Sequence, residues 1–257
     1  MSVVQATSTA RVGAPYKPHD VSAQGFSNTA DVLTALTMSS LKGRVVRLLS
    51  SVAVKRGEVL TSEEVGGFQR LLVRTDARPA AGTKVQLLLP TDDMRTYSPI
   101  PSEEGMVLLG WRHAGGPGAR WMSNARVGDV VQFVGPQRSL ELGAGSVVIV
   151  GDETSVAVAA AFALERRGQL RAIIQADARS DVRAAAASVG LEHIDVVPRG
   201  DTASTVDAVI ATLPADACVA LTGGSDLVVA VRDALRGAGT RTIKTKTYWI
   251  RGRTGLD

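Results

Sequence analysis

The strongest constraint on the fold of this chain is a break in pattern at Gly143-Ala144-Gly145. Directly after it, Ser146-Val147-Val148-Ile149-Val150 is continuously apolar, as expected for a strand buried on both faces of a parallel sheet. That run passes straight into Gly151-Asp152-Glu153-Thr154 and an alanine-rich helix reaching Arg167. The alternation then repeats, with strands expected at Leu170 to Ala176, Ile194 to Val197 and Cys218 to Thr222. Helices fall between them at Ser180 to Val189 and Thr202 to Leu213. Gly223-Gly224-Ser225 opens a further helix, Asp226 to Arg236, and a last strand lies near Ile243 to Ile250. Strands alternating with helices of about 10 to 15 residues predict a parallel α/β domain over residues 145–257.

The chain upstream of the break reads differently. Short strand candidates stand at Arg44 to Leu49, Phe68 to Arg74, Lys84 to Leu89, Met106 to Trp111 and Val130 to Val134, separated by Gly, Pro and Asp turns. That spacing predicts an antiparallel barrel over residues 42–140. Residues 1–40 are expected to be a flexible extension, rich in small and polar residues to about residue 28, with one short helix candidate at Thr29 to Met38.

Composition narrows the functional classes. Of 257 residues, 45% are hydrophobic and 21% charged, which suits a globular chain. The longest apolar run, Val156 to Leu164, is far shorter than the roughly 18 residues a membrane helix needs. Nothing resembling a basic segment followed by an apolar one opens the chain, and Cys218 is the single cysteine; both predict a reduced, cytoplasmic setting. His19, His113 and His193 are scattered, so no metal site is expected. Net charge is +4, but aromatics are 4% and do not interleave with basic residues, which argues against nucleic acid. From Arg236 onward the bases Arg236, Arg241, Lys244, Lys246, Arg251 and Arg253 face one acid, Asp257, a bias that suits an anionic small molecule.

Three stretches carry candidate chemistry. In Asp93-Met94-Arg95-Thr96-Tyr97-Ser98, extended geometry sends Arg95 and Tyr97 to one face and Thr96 and Ser98 to the other. A guanidinium holds phosphate oxygens, a phenol ring offers a flat surface, and a hydroxyl donates or accepts a proton. Those properties match a flavin dinucleotide. In Gly115-Gly116-Pro117-Gly118-Ala119-Arg120-Trp121, glycines ahead of a short helix reaching Asn124 would offer backbone N–H groups to a phosphate; Trp121 is equally a core candidate. The turn Gly151-Asp152-Glu153-Thr154 stands at a strand end where α/β sheets bind ligands, though Asp or Thr there also suits a simple helix cap. The Gly-x-Gly-x-x-Gly dinucleotide signature is absent at that turn. No Gly-x-Ser-x-Gly elbow, phosphate-binding P-loop or His-Glu-x-x-His motif occurs, so hydrolase, NTPase and zinc-protease readings have no anchor.

A barrel, then an α/β domain, with Arg95-Thr96-Tyr97-Ser98 at a barrel strand end, resembles the ferredoxin–NADP reductase superfamily. Gly116-Pro117-Gly118-Ala119-Arg120-Trp121, Val127-Gly128-Asp129-Val130, Gly135-Pro136, Gly151-Asp152-Glu153-Thr154 and Tyr248-Trp249-Ile250-Arg251-Gly252 narrow it. Over about residues 42–253 the chain resembles the siderophore-interacting proteins, FAD-dependent ferric-siderophore reductases. The resemblance implies a six-stranded FAD-binding barrel followed by a parallel NAD(P)H-binding-like domain. It implies that Arg95 binds the FAD pyrophosphate, Tyr97 stacks on the flavin ring, and Ser98 bonds near its N5, with Thr96 beside them. Gly116, Gly118 and Ala119 would cradle the pyrophosphate, with Trp121 and Trp249 also against the cofactor. Gly151, Asp152, Glu153 and Thr154 would meet the nicotinamide or the flavin edge. Lys244, Lys246, Arg251 and Arg253 are candidates for attracting an anionic ferric chelate.

Several positions depart from the family pattern. Ser98 replaces Thr, and Pro99-Ile100-Pro101 removes a basic residue that commonly follows. Arg112 stands where the family has histidine, with His113 one place later. Gly118 and Ala119 lack a phosphate-binding hydroxyl, and Gly223-Gly224 stands where Gly-Glu is common. Asp177 could bind a ribose hydroxyl and Arg179 a 2′-phosphate, leaving NADH, NADPH or ferredoxin open as donor. A flavin-dependent step on a small organic substrate, and a flavin-binding protein without reductase activity, are the competing expectations.

Overall fold

Twelve strands form two sheets in the computed structural model, which describes residues 54–253 apart from 92, 114, 115, 215, 216 and 241. The N-terminal extension, the helix at Thr29 to Met38 and the strand at Arg44 to Leu49 lie outside the described residues. The first sheet is antiparallel, with seven strands in the order β4-β3-β7-β1-β2-β6-β5. These are β1 Val54–Val65, β2 Phe68–Arg74, β3 Thr83–Leu88, β4 Met94–Tyr97, β5 Ile100–Pro101, β6 Gly105–Trp111 and β7 Val130–Arg138.

The sequence reading placed no strand at β1, the longest of all. Its twelve residues Val-Lys-Arg-Gly-Glu-Val-Leu-Thr-Ser-Glu-Glu-Val bury only Val59 fully, so their apolar alternation is weak. Pairing with β2 on one side and β7 on the other holds it extended instead. Backbone hydrogen bonds to two neighbours substitute for side-chain burial. The sheet has one strand more than the six expected, the two-residue β5 included.

The strand order also explains the curvature. β4 and β5 lie at opposite edges of the sheet, yet only Ser98 and Pro99 separate them. So short a link spans at most about 11 Å, so the two edges must approach each other and the sheet curls into an almost closed barrel. Its interior holds Val59, Leu71, Val73, Val85, Leu87, Met106, Leu108, Val131 and Phe133. β6 is buried on both faces: Met106 and Leu108 point inward, while Val107 and Leu109 point out against a helix.

The second sheet is parallel, β10-β9-β8-β11-β12, built from β8 Val147–Gly151, β9 Leu170–Gln175, β10 Ile194–Val197, β11 Cys218–Gly224 and β12 Ile243–Trp249. Among the described residues five α-helices accompany the two sheets: α1 Pro117–Asn124, α2 Val156–Glu165, α3 Arg179–Ser188, α4 Thr202–Thr212 and α5 Ser225–Gly237. The strand order reverses between β8 and β11, which places the ligand crevice of such a sheet outside their carboxyl ends.

Helix α2 joins the layers. Val156 to Phe162 are all buried, the pattern of a helix enclosed on every side. Phe68, Ile100, Val107 and Leu109 from the barrel and Ile149, Ala172 and Ile174 from the parallel sheet share its cluster. Each large apolar side chain so enclosed contributes about 1.5–3 kcal/mol. Glu165 at the end of α2 accepts the Ala81 N–H across the layers at 2.7 Å. The barrel seam is thereby fixed beside the parallel sheet's first strand–helix turn. No helix among the described residues is long and apolar enough to cross a membrane.

Candidate functional site

The seam between β4 and β5 holds Arg95, Tyr97 and Ser98. Register with β3 pairs Leu87 with Arg95 and Val85 with Tyr97, which puts both side chains on one face. Both reach the first turn of α1. A Cβ added to Gly118 would stand 2.8 Å from the Tyr97 phenol oxygen and 3.2 Å from Arg95 Cγ. On the barrel side, a Cβ on Gly110 would lie 2.9 Å from Met122 Cε and 3.5 Å from Tyr97 Cε1. The ring therefore sits between two glycines, half-buried, with its body on the barrel's inner cluster.

Helix α1 begins at Pro117 with Gly116 as its N-cap, and no side chain caps its first amides. That leaves the positive end of a helix beside Arg95, an arrangement that favours a phosphate. Arg95 Nη1 donates to Met94 O at 2.6 Å and lies 3.6 Å from Asp93 Oδ1, with 21% of its side chain exposed. Burial raises the Tyr97 pKa, against the opposing pull of the Arg95 cation, so the group is a neutral phenol near pH 7. Ala119 is half-buried, and Trp121 packs against the barrel's inner cluster, the core alternative considered for it. Thr96 is exposed on the edge strand.

Ser98 connects the seam to the other sheet. The phenol of Tyr248, on β12, is hydrogen-bonded with Ser98, and burial pushes its pKa up to about 12. Register explains how Tyr248 gets there: β11 and β12 pair Gly223 with Thr247 and then Gly224 with Trp249, skipping Tyr248. A bulge of this kind re-aims a side chain at the rim of a sheet.

The turn after β8 is a closed network. Asp152 is 1% exposed, and its Oδ2 accepts from Gly224 N at 2.8 Å and from Trp249 Nε1 at 2.9 Å. Its Oδ1 accepts from the Thr154 N–H at 3.0 Å and from the Thr154 hydroxyl. Four donors on one carboxylate hold it in a fixed orientation. Gly151 has no room for a side chain, because a Cβ there would meet Ser155 Oγ at 2.1 Å. Gly223 has φ +102°, and a Cβ on it would meet Asp152 Oδ2 at 2.6 Å. A Cβ on Gly224 would stand 2.5 Å from Trp249 Cζ2. The Gly-Gly departure is thus the seat of the Trp249 indole, and a glutamate there would collide with it. Glu153 is 5% exposed and bound by Arg199; burial raises its pKa, while the Arg199 bond works against that.

No protein-family model matches this chain, and no curated protein does. Solved structures do. A siderophore utilization protein from T. fusca superposes with TM-score 0.58 at 19% identity, over 79% of this chain and 95% of that one. A ferredoxin–NADP+ reductase mutant from Plasmodium falciparum gives 0.60 at 9% identity, over 76% and 96%. The Amycolatopsis cytochrome P450 reductase GcoB gives 0.60 at 22% identity, over 76% and 69%. The fold is that of the ferredoxin–NADP reductase-like flavoproteins.

Within this fold the expected residues fall into groups. Arg95, Tyr97, Gly118 and the N-cap Gly116 converge at the seam, with Ser98 beside them. Asp152, Thr154 and Trp249 converge at the strand-end turn. The four basic residues are spread out. Lys244 pairs with Ala220 and Lys246 with Thr222, about 16 and 10 Å of strand before Trp249. Arg251 lies just past Trp249 and 3.6 Å from Asp226, and Arg253 follows, exposed. Sequence reasoning missed Arg199 and gave Trp111 no role. Arg199 follows β10, at the carboxyl edge where this class of sheet binds ligands, and that position was the one available signal.

Proposed function

We propose that this chain is an FAD-dependent oxidoreductase that reduces ferric siderophores, taking electrons from NAD(P)H or a ferredoxin. The observation that carries the reading is the convergence of Arg95, Tyr97 and the uncapped start of α1 on side-chain-free Gly118. Those residues fit a flavin dinucleotide: a cation and free amides for the pyrophosphate, a neutral aromatic wall for the ring, and a hydroxyl at its edge. FAD, when bound, supplies the redox chemistry, taking electrons from the donor and passing them singly to Fe(III).

The protein's part is binding and orientation. Arg95 and the amides of Gly118 and Ala119 would hold the two phosphates. Tyr97 stays protonated near neutral pH, so it serves as a wall and a hydrogen-bond donor and not as a base. Ser98, tethered by Tyr248, would present its hydroxyl to the flavin edge in a fixed direction. Ferric chelates are commonly anionic, and Arg251 and Arg253 supply exposed positive charge past the end of β12. A cytoplasmic setting, with no nucleic-acid partner, is part of the same reading.

One feature favours a second reading, a flavin-dependent step on a small organic molecule. Pro99 and Ile100, which stand where the resemblance leads one to expect a basic residue, are buried. The basic group that would assist an anionic chelate is missing at that point.

The first test is an absorption scan of the purified protein for flavin bands. The second is anaerobic, mixing FAD-loaded protein with NADH, NADPH or reduced ferredoxin and a ferric chelate, with an Fe(II) trap. Trapped Fe(II) with at least one donor is the expected outcome. A colourless protein that takes up no flavin would overturn the reading, and a yellow protein inert toward every ferric chelate would turn it toward an organic substrate.

A further inference from the structure

Arg199 lies in the turn Pro198-Arg199-Gly200 after β10, remote in sequence from both flavin motifs. Its guanidinium is held from the parallel sheet by two carboxylates. Nε donates to Asp177 Oδ2 at 2.9 Å, and Nη2 is bound by both oxygens of the buried Glu153. On its other side the guanidinium carbon lies 5.7 Å from the ring centroid of Trp111, the last residue of β6 in the barrel. Trp111 and His113 have ring centroids 5.4 Å apart at 49°. His113 Cε1 in turn lies 3.0 Å from where a Cβ on Gly116 would stand, and Gly116 is the N-cap of α1. A line of neighbouring groups thus runs from the carboxyl edge of the parallel sheet, through Arg199, Trp111 and His113, to the N-cap of α1.

A partly buried ion pair of this kind adds little net stability, because desolvation of Glu153 offsets the attraction. What it does supply is position. Glu153 and Asp177 fix the guanidinium plane, and the guanidinium fixes the Trp111 indole, which packs on the outer face of β6 with the cluster around α2. Among the described residues of this segment, Arg112 pairs with Glu64 and donates from Nε to Ser123 Oγ of α1 at 3.3 Å, and His113 beside Gly116 is the tie that reaches the helix start itself.

The geometry points to Arg199 as a positioning residue for the diphosphate of a bound flavin dinucleotide, acting through Trp111 and His113 on the start of α1. This rests on the flavin reading above. The isoalloxazine half, against Tyr97 and Ser98, lies outside this line of groups, so the role is specific to one part of the cofactor.

The experiment titrates apoprotein with FAD and, separately, with riboflavin, which lacks both phosphates and AMP. The proteins are the wild type, Arg199→Met, Arg199→Lys, Trp111→Leu and the Arg199→Met/Trp111→Leu double variant. Arg199→Met is expected to weaken FAD about tenfold, the scale of a desolvated cation–aromatic contact, and to leave riboflavin within about twofold. Arg199→Lys, which keeps a cation over the indole without the fork, should recover part of the loss. Trp111→Leu should match Arg199→Met, and the double variant should be no worse than either. An unchanged FAD affinity, a parallel loss of riboflavin or additive losses would overturn the role of Arg199 while leaving the flavin reading in place. Wild type that binds neither flavin would overturn both. If Arg199→Met does not fold, Arg199→Lys and Trp111→Leu decide by the same criterion: FAD-selective loss supports the role, and parallel or no loss removes it.

Discussion

The barrel seam and the strand-end turn of the parallel sheet are both glycine-rich, both contain residues that sequence motifs single out, and they differ in one respect. At the turn, every lone pair of Asp152 that matters is taken: Gly224, Trp249 and Thr154 donate to it, and Gly223 and Gly224 leave space for nothing else. At the seam, the start of α1 has no side-chain cap, and Arg95 remains partly exposed beside it. A polar group already satisfied by the protein maintains the fold, whereas a group with capacity left over can take a ligand. Two motifs of equal prominence in the sequence thus carry different work.

Breaking the turn should cost the most. Asp152→Ala strands three N–H donors, the buried one of Gly224 and the part-buried ones of Thr154 and Trp249, and stability in urea is expected to fall by about 3 kcal/mol. FAD affinity of the protein that remains folded should change by less than about threefold (~0.7 kcal/mol). Loss of flavin without loss of stability would reverse the assignment of the two regions. Gly224→Glu drives the Trp249 ring off its seat, and the thermal or urea midpoint should drop by the equivalent of about 3 kcal/mol. A stable Gly224→Glu protein would mean that the indole has another resting place.

The seam should answer in the opposite manner. Gly118→Ala puts a methyl against Tyr97 and Arg95, and FAD affinity measured by fluorescence should fall about 30-fold (~2 kcal/mol). Stability should move by less than about 1 kcal/mol, because alanine's better helix propensity offsets the crowding. Equal losses in both measurements would show the seam to be as closed as the turn.

The smallest effect concerns pH. Burial raises Glu153 above its ordinary value of 4.5, so the folded chain keeps this proton where the unfolded chain has released it. Its contribution to stability therefore declines as pH rises from the ordinary carboxylate value through the raised one. Glu153→Gln should remove that decline, flattening the stability–pH curve on the side above the ordinary carboxylate value of 4.5. A wild-type curve that rises through this window relative to the variant would show the Arg199 bond outweighing burial.

Much of the architecture was written in local pattern. Val147 to Gly151 reads as a doubly buried strand because both faces are covered, by α2 on one side and α4 and α5 on the other. The strand–helix alternation after it follows from period alone, and the start of α1 follows from Gly116-Pro117. β1 did not follow, because its residues are extended by two neighbouring strands and not by their own apolar faces. The pairing of Gly224 with Trp249 was equally hidden: at 25 residues' separation, a missing side chain at one position and a large one at the other are related only through β11 and β12 lying adjacent.

By itself the sequence determined most of the strands and helices, β1 excepted, and which residue types are available to hold an anionic, planar ligand, since those follow from periodicity and side-chain chemistry within a few residues. Only the tertiary structure decided which of those residues retain free capacity. It closes the edges of the barrel through Ser98 and Pro99, brings Tyr248 to Ser98 and Arg199 to Trp111, and spends the Asp152 carboxylate on the chain's own backbone. Hydrogen-bond satisfaction depends on neighbours in space, and the neighbours that matter here are separated by dozens to well over a hundred residues along the chain.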